Sequence, residues 1–97
     1  MEAVESVDMI KLEKEFLQRG YSFGIFEDPP GQQWLDFVHS VDELLVVLEG
    51  DLVVVIDGIH CYPEVGEEVF IPANSNHDVI TGPNSGSRWA YGYRHQD

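Results

Sequence analysis

Gly31-Gln32-Gln33-Trp34-Leu35-Asp36-Phe37-Val38-His39-Ser40-Val41-Asp42-Glu43-Leu44-Leu45-Val46-Val47-Leu48-Glu49-Gly50 is the stretch that decides the fold. It reads as two short strands, residues 33–39 and 43–48, joined by a bend and closed at each end by a glycine. Short apolar runs punctuated by turn residues are the signature of an all-β domain. The same stretch sets His39 and Glu43 four residues apart across the bend. A third side chain with metal-binding chemistry, His77, opens a later strand.

The pattern continues on both sides. Residues 21–27 form a strand that Asp28-Pro29-Pro30-Gly31 must break, because proline lacks the donor that a ladder needs. Further strands follow over 51–56, 59–62, 68–71, 77–81 and 88–93. Asp57-Gly58 supplies the hairpin turn between the first two of these. Before all of them, Met9, Leu12, Phe16 and Leu17 recur at helical spacing. Asp8 suits the N-cap and Gly20 the stop, which predicts one short helix over 8–19. The expected organisation is one domain over 1–97: a loose lead-in over 1–7, the helix, and a β-barrel over 21–94.

Two apolar segments bear on assembly. Residues 44–48 and 52–56 are apolar on both strand faces, and a barrel with one wet face does not require that. A helix of about three turns is short for the job of covering the outer face. A homodimer packed sheet to sheet is therefore expected.

Composition narrows the partners. A hydrophobic fraction of 43% with 11% aromatic residues is a globular value, and a formal charge of −13 repels phosphate backbones and anionic membranes. Neither nucleic acid nor membrane is expected as a partner, and small ligands should be neutral or cationic. The single cysteine, Cys61, excludes an intrachain disulfide. The apolar runs fall short of the roughly 18 residues of a membrane span, and the acidic N-terminus is unlike a signal peptide. The expected location is the cytoplasm.

His39, Glu43 and His77 would make a facial triad if the strands converge, leaving about three open positions on an octahedral metal. On spacing alone they suit equally well separate surface or hydrogen-bonded core positions. Alternation along a strand puts Phe37 on the face of His39, and Leu45 and Val47 on that of Glu43. Either Gln33 or Trp34 faces the barrel mouth. Trp89, Tyr91 and Tyr93 form an alternating stripe suited to core packing, with a pocket wall as its second use. Asp42 reads as solvated, and His60 and His95 lack neighbours at ligand spacing.

The region from Gly31 to Thr81 resembles the two motifs of the cupin superfamily. Gly31, Phe37-Val38-His39, Glu43 and Gly50 fall on the first motif, and Gly66, Pro72-Ala73-Asn74, His77 and Thr81 on the second. Asn74 replaces a glycine there, which is reasonable because asparagine tolerates the left-handed conformation. The resemblance implies a jelly-roll barrel with His39, Glu43 and His77 as metal ligands, and Gln33, Phe37, Leu45, Val47, Trp89 and Tyr91 around the pocket. Phe37 stands where many cupins have a first metal-binding histidine, so three of the usual four ligands remain. Iron, manganese, nickel and zinc all suit such a set. The implied function is a metal-dependent enzyme of dioxygenase or isomerase type acting on a small molecule. The alternative is a non-catalytic small-molecule-binding module.

Overall fold

The computed structural model describes residues 7–95. Six of the seven residues of the expected lead-in lie outside that range. The helix α1 spans Met9–Gln18, and the Asp8 carboxylate caps it by accepting from the Lys11 N–H at 3.1 Å. Gly20, at φ +88°, ends it in the left-handed conformation that favours glycine. Met9, Leu12 and Phe16 pack inward, but Leu17 is 52% exposed, which corrects its place in the apolar stripe. It lies about 100° further round the helix than Phe16, away from the buried face.

Eight strands follow: β1 Gly24–Asp28, β2 Gln33–Phe37, β3 Glu43–Glu49, β4 Leu52–Ile56, β5 Ile59–Cys61, β6 Glu68–Ile71, β7 His77–Thr81 and β8 Ser87–Tyr93. They form two antiparallel sheets, ordered β1-β8-β3-β6 and β2-β7-β4-β5, which face each other as a jelly roll. Between the sheets lies a core of Leu45, Val47, Leu52, Val54, Val69, Ile71, Val79 and Trp89. The inward residues alternate along each strand as the pleat demands.

The outer face of β3 is covered. Leu44, Val46 and Leu48 pack with Phe16, Tyr21 and Ala90, and Met9, Leu12, Phe23 and Ile25 close the edges. The helix, joined by the segment after it, thus covers the face for which it alone had looked too short. Gly92 permits this: a Cβ there would collide with the Ser22 carbonyl oxygen and the Phe16 ring. Arg19 then ties the helix end to β6 through a two-pronged ion pair with Glu68, at 2.7 and 3.1 Å.

One irregularity decides the pocket. Trp34 pairs with Val79 and Phe37 with His77, so three steps along β2 match two along β7. The extra residue is a bulge at Asp36, whose φ is +59° and whose N–H donates to the Asp78 carboxylate at 2.8 Å. Trp34 and Phe37 therefore share the inner face despite their odd spacing. Gln33 is turned outward and exposed, correcting its placement around the pocket.

Candidate metal centre and aromatic pocket

Three strand ends deliver the candidate ligands. Glu43 begins β3, His77 begins β7, and His39 stands just beyond β2 in the bend. His39 is held there because its carbonyl accepts from the Asn74 N–H at 2.7 Å. Asn74 adopts φ +66°, the left-handed value expected of it from the motif. Asp42 is not simply solvated: its carboxylate accepts from the Ala73 N–H at 2.8 Å and fastens the bend to the Pro72-Ala73-Asn74 turn.

One ligand atom from each of His39, Glu43 and His77 lies within 4.8 Å of the others. Glu43 Oε1 sits 3.5 Å from His39 Nε2 and 3.4 Å from His77 Nε2. Those contacts are too long to satisfy it, and this oxygen is buried without a hydrogen-bond partner on a residue only 3% exposed. An anionic oxygen left so is costly unless something neutralises it. His77 Nδ1–H donates to the Ser75 carbonyl at 3.3 Å, which orients the ring and turns Nε2 toward Glu43. The His77 pKa is raised above 6.5, chiefly by its side-chain contact with Glu43, with burial opposing and the Ser75 carbonyl reinforcing.

Tyr93 completes this end. Its hydroxyl lies 3.4 Å from His39 Nε2, within reach to donate to it. Burial, with the Glu43 charge adding to it, pushes the phenol up to about 12, so it keeps its proton at neutral pH. The sequence placed Tyr93 in a packing stripe with a pocket wall as its second use, and did not pair it with His39. Its position two and four residues after Tyr91 and Trp89 on an inward-facing alternation was the available signal.

A cavity of about 170 Å³ opens onto the three ligands. Its wall is aromatic: Phe26, Trp34, Phe37 and Trp89, with Tyr93 near the ligands and Val79 between. Rings follow one another around it in a closed circuit, Phe26 to Trp34, Phe37, His39, Tyr93, Tyr91 and back, with neighbouring centroids 4.8 to 6.2 Å apart. Tyr91 backs this wall, stacked on Phe26 above Gly24, and does not line the cavity. Leu45 and Val47 are fully buried in the core beneath it, so they too support the pocket without facing it. Of the six residues expected around the pocket, Phe37 and Trp89 line it. Phe26 and Trp34 were not in that set, since the first looked like an ordinary strand residue and the second depends on the bulge. His60 and His95 are exposed and apart from the site.

Two four-stranded sheets closed on an inward His–Glu–His cluster define a small jelly-roll barrel with a candidate metal centre. The chain belongs to the cupin family, whose Cupin domain matches residues 24–88. It is 35% identical over 79 residues to the dimethylsulfoniopropionate lyase DddW of Ruegeria pomeroyi, covering 81% of this chain and 51% of that protein. The chain thus spans about half the length of this curated relative. Among solved structures, a protein of unknown function from Rhizobium leguminosarum bv. viciae superposes with a TM-score of 0.69 at 29% identity, covering 78% of this chain and 71% of that one. The polyketide cyclase RemF of Streptomyces resistomycificus gives 0.67 at 27% identity, covering 75% and 53%. No helix among the described residues is long and apolar enough to cross a membrane.

Proposed function

We propose that this protein is a metal-dependent cupin that acts on a small molecule in the aromatic pocket, with His39, Glu43 and His77 as the metal ligands. The observation that carries this reading is Glu43 Oε1, buried and unpartnered between two imidazole nitrogens. A divalent cation satisfies that oxygen, and two neutral imidazoles with one carboxylate are a set that iron, manganese, nickel or zinc accepts. Once bound, the metal supplies a Lewis acid with open positions for an oxygen-bearing substrate.

The chain's own residues do the rest. Phe37 stands beside both imidazoles, with centroids 6.2 and 6.3 Å away, and offers no donor, so a coordination position stays free for substrate. The rings of Trp34, Phe26 and Trp89 limit water around the bound molecule. Tyr93, protonated at neutral pH, offers a hydrogen bond next to His39. The likeness to DddW makes lyase chemistry the first reaction to test, ahead of the dioxygenase and isomerase types. The homodimer expected from the sequence now rests on Ile59, Tyr62 and Phe70, exposed on and beside β5 and β6; a concentration-independent monomer mass in light scattering removes it.

The test is metal analysis of protein purified without a chelating resin, beside the double variant His39→Ala, His77→Ala. Stoichiometric metal in the wild type and loss in the variant are expected. Equal, near-zero metal in both ends the proposal. The second reading, a pocket that binds without turnover, is favoured by Phe37 in place of a fourth ligand. Product analysis with the metal-loaded protein on sulfonium carboxylates, diketones and sugars separates it from an enzyme.

A further inference from the structure

Asp28 closes β1 on the inner side of the barrel and is 8% exposed. Its Oδ2 accepts two hydrogen bonds, from Trp34 Nε1–H at 3.0 Å and from Trp89 Nε1–H at 3.1 Å. These are the chain's two tryptophans. One comes from each sheet, and both wall the cavity. Nothing in the metal reading uses this arrangement.

A hydrogen bond to an anion is charge-assisted, and it polarises the donor. An indole that gives its N–H to a carboxylate becomes more electron-rich over its ring. Attraction of a cation by an aromatic ring follows the negative potential of that ring, and tryptophan is the strongest such partner. One buried carboxylate therefore strengthens two indoles at once and adds its own charge behind them. The surroundings agree: among the described residues none lining the cavity is lysine or arginine, and the formal charge of −13 draws cations inward. Trp89 and Tyr93 are four residues apart on β8, roughly 13 Å along an antiparallel strand, so the indole end and the His–Glu–His end are separate stations in one slot.

We propose that the indole end of the cavity receives a small organic cation, a quaternary ammonium or sulfonium group, and that Asp28 is the positioning residue that tunes Trp34 and Trp89 for it. This deepens the reading of the same site and rests on it only for the second contact, in which an oxygen at the far end of the molecule meets the metal. The cation station is testable by itself. If Asp28 merely staples the two sheets, its charge is irrelevant and its hydrogen-bond geometry suffices. Asparagine separates the two roles, since its carbonyl oxygen can still accept from both indoles.

The experiment titrates the full chain, stripped of metal with EDTA, with choline and with its neutral isostere 3,3-dimethylbutan-1-ol, following tryptophan fluorescence. Choline should bind about tenfold more tightly than the alcohol, the size of a desolvated cation–π preference. Asp28→Asn should weaken choline roughly fivefold and leave the alcohol within about twofold of the wild type. Trp34→Phe, which keeps a ring but removes one N–H, should narrow the preference in the same direction and answers alone if Asp28→Asn does not fold. Equal affinity for the two probes, no choline binding, or an equal loss of both in the variants overturns the proposal. Metal content is measured on a separate sample: a protein that holds choline and no metal loses only the metal reading, and the converse loses only the cation station.

Discussion

Replacing Glu43 by glutamine should stabilise the metal-free protein and abolish its response to metal. Glu43 is 3% exposed, and its Oε1 has no hydrogen-bond partner. A buried polar group left unsatisfied costs about 1–3 kcal/mol, more when charged. Glutamine keeps the shape, drops the charge, and brings an amide N–H that can donate to an imidazole nitrogen. Against this gain stands the attraction between Glu43 and protonated His77. His77 holds its proton more tightly folded than unfolded, so this contribution is full below about 6.5 and is lost as pH rises through the raised folded value. The gain from Glu43→Gln is therefore largest above the raised His77 value, at about 1–3 kcal/mol, and smaller below 6.5. For a chain of this size that is roughly 4–8 °C of melting temperature per kcal/mol. Metal at a hundredfold excess over Kd should raise wild type by about 2.7 kcal/mol and leave the variant unmoved, closing or reversing the gap between them. The assay is thermal unfolding by circular dichroism at pH 6 and 8, in EDTA and in zinc. A variant that melts below wild type in EDTA at pH 8, or a wild type indifferent to zinc, refutes the argument.

Other outcomes follow from the same geometry. Metal binding near neutral pH must displace the proton that Glu43 helps His77 to retain, so calorimetry in buffers of different ionisation enthalpy should show proton release, with affinity falling as pH drops below the raised His77 value. Phe37→His places an imidazole beside His39 and His77 and should tighten metal binding by about tenfold or more, measured by chelator competition. Phe16→Ala removes a fully buried ring that joins the helix to β3, and should cost about 3–5 kcal/mol in urea unfolding.

Much of this was written in local sequence. Turn residues bracket the strands closely enough that β6 and β7 match their expected limits, and the left-handed Asn74 was legible from its motif. The convergence of His39, Glu43 and His77 followed from the cupin register, whereas their spacing alone left it undecided. What escaped was set by contacts between distant segments. The choice of Trp34 over Gln33 depends on an Asp36 bulge that the Asp78 carboxylate supports from another strand. The cover on β3 depends on Gly92 letting Phe16 and the Ser22 carbonyl approach. Asp28 looked like the start of a proline turn, and its two indole partners lie 6 and 61 residues away in the chain. Asp42, read as solvated, proved to be a backbone anchor for the same reason.

The Asp36 bulge also inverts the usual ranking of mutations in a strand. Losing a residue normally flips every side chain beyond it. Here Trp34 and Phe37 already sit one pleat repeat apart in register, so deleting Asp36 leaves an unbulged strand with the same inner face. A β-branched residue at that position would resist φ +59° and favour flattening the bulge at full length, which would bring Gln33 inward in place of Trp34. An in-frame loss of Asp36 thus preserves the inner face, whereas a single-base change to valine there would exchange one indole of the wall for an amide and leave Phe26, Phe37 and Trp89 in place.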